Sequence, residues 1–231
     1  MSQQATPSSP VADRPQLTAA QQAAVAKLNY VIEQPRAIAL LCGPAGVGKT
    51  TVLRHVADFS ADLAAAAPRT IWLQTLAELA DAAPPQADLQ TPDVLLVDDA
   101  HRAAGRDLVD LVTRWRKRSD TITIVLAGEG RLLSLVAGDV RLEQSVRLRA
   151  TLPAFSLAES SDLLAGRLPS RAAPSDYGAV IRTIHEIAGG VPEIALRLAD
   201  MAAVVADADP DRALVSDDIE MIHRRLCLSA A

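Results

Sequence analysis

Eight consecutive residues, Gly43-Pro44-Ala45-Gly46-Val47-Gly48-Lys49-Thr50, satisfy the pattern G-x-x-x-x-G-K-[ST] at every fixed position, and the chemistry of that spacing is the grip of a phosphate chain. Glycines let the backbone curl until successive N–H groups converge on the phosphates. The positive N-terminal end of the following helix, continued through Thr51, adds to the attraction. In this pattern Lys49 reaches the β- and γ-phosphates and the Thr50 hydroxyl is offered to Mg²⁺. A second stretch supplies acids: Val94-Leu95-Leu96-Val97 is a continuous apolar run ending in Asp98-Asp99. A buried strand delivering carboxylates at its C-terminal end is the other half of an ATP site, and Asp98 is the residue expected to hold the metal's shell. ATP and Mg²⁺ are therefore the expected cofactors, with Thr50 and Asp98 on the metal.

The elements that must position these residues are legible around them. Ala37 to Cys42 is an apolar run of buried-strand type just before the loop, and Thr51 to Ala64 reads as the helix after it. Upstream, Leu17, Ala20, Ala24, Val25, Leu28 and Ile32 recur at helical spacing until Pro35. Downstream, strands are expected at Arg69–Leu73, Val94–Val97, Thr121–Ala127 and Val146–Leu152. Helices alternate with them at Gln74–Ala83, Arg106–Arg118 and around Leu132–Val136, with a polar loop at 84–92. The fold class is α/β: a P-loop NTPase core with a parallel five-stranded sheet between helices and its site at the strands' C-terminal edge. Beyond Pro153 only helices are expected, at Leu157–Leu168, Tyr177–Ala188, Glu193–Ala206 and Asp217–Leu228. A Ser156/Glu159 capping box, Pro192 and Gly189-Gly190 mark their ends. The expected division is a disordered tail at 1–16, an ATPase core at 17–153 and a small all-α lid at 154–231.

Composition narrows the function classes. At 231 residues and 49% hydrophobic the chain has ample material for a core, and a net charge of −5 gives no bulk attraction to nucleic acid. The basic end of the fourth expected helix, Arg114 to Arg118, fits a helix C-terminus complementing its dipole; a local DNA-contacting patch is the alternative. Two cysteines without metal-ligand spacing point to a reducing, cytoplasmic setting, and the N-terminus has no signal-peptide pattern. No apolar run approaches the ~20 residues of a membrane span. His55, His101, His185 and His223 are scattered, and Ser60, Ser134 and Ser145 lie in no nucleophile elbow, so zinc and acyl-transfer chemistry have no support.

The combination of Leu17-Thr18, the phosphate loop, Leu95 to His101, Val125 to Leu132 and Gly190-Val191-Pro192 resembles the AAA-type ATPases of the ExeA (general secretion) and TniB (transposition) group. The resemblance implies an ATPase with an α-helical lid, Pro192 beside the nucleotide, and ATP-dependent assembly into a homo-oligomer. It also implies a protein partner in a secretion or transposition apparatus, with DNA contact possible. Asp99 stands where that group carries the glutamate that orients water, a carboxylate one methylene longer, and Glu129 stands near its first-sensor position. Ser145 occupies the place of a trans-acting arginine, which leaves Arg141, Arg147 and Arg149 as neighbours. Arg141, ahead of the last strand, is the candidate that reaches across a subunit boundary. Glu193 replaces a basic sensor residue, with Arg197 one turn further on. Two readings follow: an ATPase of slow turnover that switches a partner complex, or a hydrolysis-poor pseudo-ATPase acting as a nucleotide-binding scaffold. A small-molecule kinase is disfavoured by the C-terminal helical bundle.

Overall fold

The structure is a computed structural model that describes residues 17–62, 70–81, 91–168, 174–209 and 212–229. The expected tail at 1–16, residues 63–64 of the second helix, Arg69, and most of the 82–92 stretch lie outside the described residues.

The chain enters through α1 (Ala19–Ile32), β1 (Ile38–Cys42) and α2 (Lys49–Asp62). It continues through β2 (Ile71–Thr75), α3 (Leu76–Asp81), β3 (Val94–Asp98) and a 3-10 turn over Ala100–Arg102. Then come α4 (Gly105–Arg118), β4 (Thr123–Gly128), α5 (Arg131–Ala137), α6 (Val140–Ser145) and β5 (Val146–Thr151). The five strands form a parallel sheet in the order β2-β3-β4-β1-β5. Because parallel strands need helical crossovers, both faces of the sheet are covered, and central strands must be apolar on both sides. Every residue of β1, β3 and β4 is accordingly buried.

Alternation splits these strands between two cores. Leu40, Leu95, Val97 and Leu126 face Leu108, Val112 and Trp115 of α4 and Leu132 of α5. Ala39, Leu41, Leu96 and Val125 face Leu28 of α1 and Val52, Leu53 and Val56 of α2. Trp72 of β2 meets Trp115 edge to face at 5.8 Å, closing the first core at the sheet margin. At the opposite margin β5 exposes Arg147 and Arg149, while Ala150 is buried.

Helices α7 (Leu157–Leu164), α8 (Pro174–Ala188), α9 (Pro192–Ala208) and α10 (Ser216–Ser229) make up the C-terminal region. They enclose a third core, with Leu164, Ile184, Leu198 and Ile219 at its centre. The Ser156/Glu159 capping box forms as expected, and Pro192 opens α9.

Three local expectations are corrected. The second strand runs two residues further, because Gln74 and Thr75 pair in register with Val97 and Asp98, and Thr75 then starts the short helix by accepting from the Glu78 N–H. The first C-terminal helix stops at Leu164 rather than Leu168: Gly166 turns the chain at φ +75°, yet Leu168 still reaches the third core, so apolar spacing outlasts the helix. Helix α6 was not expected; Asp139 caps it by accepting from the Leu142 N–H at 2.8 Å.

Candidate nucleotide site

The parallel sheet places the ends of β1 and β3 on the same edge, separated by β4, so the phosphate loop and Asp98 converge although 48 residues separate Thr50 from Asp98. The loop is held from both sides. Gly43 N–H donates to the Gly128 carbonyl at 3.2 Å, and Val47 is buried beneath the curl. Gly46 and Gly48 adopt φ of +71° and +98°, where side-chain-bearing residues are strained. A Cβ at Gly48 would also come within 2.4 Å of the Gln21 amide.

Lys49 is buried, 7% exposed, and its Nζ donates to the Gly43 and Pro44 carbonyls at 3.0 and 2.7 Å. Its ammonium is thus parked on the loop, with no carboxylate partner among the described residues. Thr50 Oγ1 donates to Asp98 Oδ2 at 2.5 Å. Asp98 is 7% exposed, and its other oxygen accepts the Asp99 N–H at 2.9 Å, which fixes the carboxylate's orientation. Upstream, burial pushes the Cys42 thiol above its ordinary range, while the positive charges of Lys49 and Arg149 oppose that rise. Cys42 is a packed core side chain, 4% exposed.

A cavity of about 600 Å³ opens above these groups. The loop and Asp98 form its floor, and Phe155, Leu163, Pro192 and Leu196 give it an apolar wall. Glu129, Asp99, Arg102 and Glu193 bring charge to its rim. The site is assembled across the helical region: Phe155 N–H donates to the Gly190 carbonyl at 2.8 Å, and Glu193 N–H to the Gly46 carbonyl at 3.3 Å.

These residues fit a Mg·nucleotide. The loop presents a concave backbone that a Cβ would fill, the hydroxyl and carboxylate already face each other, and the wall is apolar enough for a base. Mg²⁺ typically takes one or two carboxylates and completes its shell with water and phosphate oxygens, which matches a donor set of one hydroxyl and one acid.

The residues expected from the sequence to serve hydrolysis are arranged differently. Asp99 sits in the left-handed region at φ 55°, ψ 25°, a conformation that aspartate tolerates better than glutamate. Its carboxylate lies 3.5 Å from the Arg102 Nε. Glu129 pairs with His101 Nε2 at 3.2 Å, and Arg131 donates to the His101 carbonyl at 2.6 Å. Arg141 is not brought to the loop of its own chain: it lies exposed on α6, beside a separate cavity that Val109, Arg116 and Ser145 also line. Arg197 is exposed and does not line the nucleotide cavity, whereas Glu193 does.

Gln21 is the site residue that sequence reasoning missed. It is 6% exposed, closes a capping box with Thr18 and donates from Nε2 to the Val47 carbonyl at 3.3 Å. The Thr18-x-x-Gln21 pattern spells the cap; the bond across 26 residues to the loop has no sequence signature.

Phosphate loop, acid-tipped β3, sheet order and following helices define a P-loop NTPase fold. By sequence the chain belongs to the family Novel STAND NTPase 5, whose model matches residues 13–138. No curated protein matches it. Solved structures similar to it include Aeropyrum pernix ORC1 in complex with DNA, 18% identical with a TM-score of 0.66 over 94% of this chain and 68% of that one. Another is Hsp104 with ATPγS and FITC casein, 20% identical, TM-score 0.63, over 91% of this chain and 43% of that one. Domain III of the Thermotoga maritima replication initiation protein DnaA is 14% identical, TM-score 0.53, over 90% of this chain and 93% of that domain. At these identities the likeness concerns the fold alone. Among the described residues no helix is long and apolar enough to cross a membrane.

Proposed function

We propose that this chain is an ATP-dependent switch: an ATPase of slow turnover whose nucleotide state sets the position of a helical lid that a partner complex reads. The observation that carries the reading is the Thr50–Asp98 contact beside the parked Lys49, on the floor of a cavity walled by lid residues. Bound Mg²⁺ supplies charge neutralisation and Lewis acidity at the phosphates. For its part the chain releases Lys49 from the Gly43 and Pro44 carbonyls toward the phosphates, turns Thr50 and Asp98 to the metal, and covers the site through Phe155 and Pro192.

We assign residues 17–153 to the ATPase core and 154–231 to the lid, in keeping with two sheet-face cores and a separate helical one. The loop from Gly43 to Thr51 and Pro192 hold nucleotide; Asp99 and Glu129 act on the attacking water; Arg141 acts from a neighbouring subunit in an ATP-assembled homo-oligomer. The likeness to the ExeA and TniB group makes a secretion or transposition complex the partner, in the cytoplasm. The similarity to ORC1, solved in complex with DNA, supports the DNA-associated branch.

One observation favours the pseudo-ATPase alternative: Asp99 is both short and engaged by Arg102. Steady-state phosphate release with and without DNA, measured beside ATP affinity, decides. Tight binding with DNA-stimulated release supports the switch; tight binding with no release above background supports the scaffold.

A further inference from the structure

Glu193 lies against the phosphate loop itself. A Cβ built at Gly46 would come within 2.6 Å of Glu193 Oε2 and 2.8 Å of Glu193 Cβ, so the side chain rests on the loop's middle glycine. The backbone holds it there through the Glu193 N–H, which donates to the Gly46 carbonyl at 3.3 Å. An acid in the first turn of a helix complements the dipole of α9, and that alone accounts for a glutamate after Pro192. It does not account for a carboxylate lying over a loop whose purpose is to attract anions.

The charges around the cavity sharpen the point. Lys49 and Arg102 face Asp98, Asp99, Glu129 and Glu193, and Arg102 is already paired with Asp99. Asp98 is engaged by the Thr50 hydroxyl and the Asp99 N–H, and Glu129 lies 3.2 Å from His101 Nε2. Glu193 has no cationic partner among the described ion pairs.

Building on the nucleotide-site reading, we infer that Glu193 is a specificity-determining residue that biases the site toward nucleoside diphosphate over triphosphate. Its charge opposes every phosphate the loop holds, and the opposition grows with the charge bound. With Mg²⁺ present a triphosphate carries one more negative charge than a diphosphate and loses more affinity. The lid helix that closes the site thus also resists the form of ligand that would trigger it.

The test is titration calorimetry of wild type, Glu193→Gln and Lys49→Ala with ADP and with the non-hydrolysable analogue adenylyl-imidodiphosphate, each with Mg²⁺. Removing one charge at close range is expected to tighten the triphosphate analogue about tenfold and ADP about threefold. The ratio of the two affinities is the decisive readout, because an acid serving only the helix end changes the melting temperature and leaves that ratio alone. An unchanged ratio in Glu193→Gln, with wild type binding both nucleotides and Lys49→Ala binding neither, overturns this inference and spares the site. Wild type binding neither nucleotide overturns both.

Discussion

The two ends of the nucleotide cavity are built to different standards. At the phosphate end Lys49 and Asp98 are buried, and the motif is held by its bonds: Lys49 by two carbonyls, Asp98 by Thr50 and the Asp99 N–H, the loop by Gly128 and Gln21. At the hydrolysis end the carboxylates are half exposed and paired with neighbours, Asp99 with Arg102 and Glu129 with His101. Buried polar groups must be satisfied whatever the function, so the phosphate end is fixed by folding itself. Exposed ion pairs are worth at most about 1 kcal/mol, so the contact of Asp99 with Arg102 can rearrange cheaply, and under the proposed function turnover depends on what rearranges this end.

The comparison breaks outright if the phosphate end is dispensable. Lys49→Ala is expected to abolish ATP-dependent thermal stabilisation, which in wild type amounts to about 2.7 kcal/mol at 100 times the dissociation constant. A mutant whose melting temperature still rises with Mg·ATP as in wild type refutes the assignment.

At the hydrolysis end, Arg141→Ala is expected to leave ATP affinity intact while lowering turnover, by as much as ~10³ if the arginine acts fully in trans. Light scattering with and without Mg·ATP checks the assembly this requires, and an unchanged monomer removes the idea.

Asp99→Glu is expected to accelerate hydrolysis by up to ~100-fold, the cost that small misplacement of a catalytic group carries. The left-handed backbone at position 99 works against the longer side chain. Single-turnover rates at saturating ATP measure the balance, and a rate at or below wild type shows that the carboxylate's length is not what limits turnover.

The smallest effect belongs to the capping box of α7. Glu159 is held below its ordinary value of 4.5, chiefly by the Ser156 backbone N–H and also by the Ser156 and Thr18 side chains, while partial burial pushes the other way. A depressed carboxylate contributes stability above its unfolded pKa and loses it as pH falls through the folded one. Melting temperature should therefore drop below pH 4.5 slightly less steeply in Glu159→Gln than in wild type. Parallel acid profiles would show that the hydrogen bonds of Glu159 to Ser156 and Thr18 add nothing to the pH dependence of stability.

Much of this molecule was legible in its residues. Continuous apolar runs can be buried on both faces only in a covered parallel sheet, which is why β1, β3 and β4 stand where their sequence says. The loop's fixed positions carry their chemistry locally, within one turn of backbone. Capping residues fixed the start of α7 and Pro192 that of α9 because those signals also act over three or four residues. Strand order, by contrast, was decided by tertiary pairing, and with it the meeting of Thr50 and Asp98 across β4. The same holds for Gln21 on the loop, Arg102 on Asp99, His101 on Glu129 and Glu193 over Gly46. Those contacts join side chains on separate elements or across a turn, and a residue's type records only that it can make a bond. Which partner it finds is set by how the sheet, the turn after β3 and the lid helix pack.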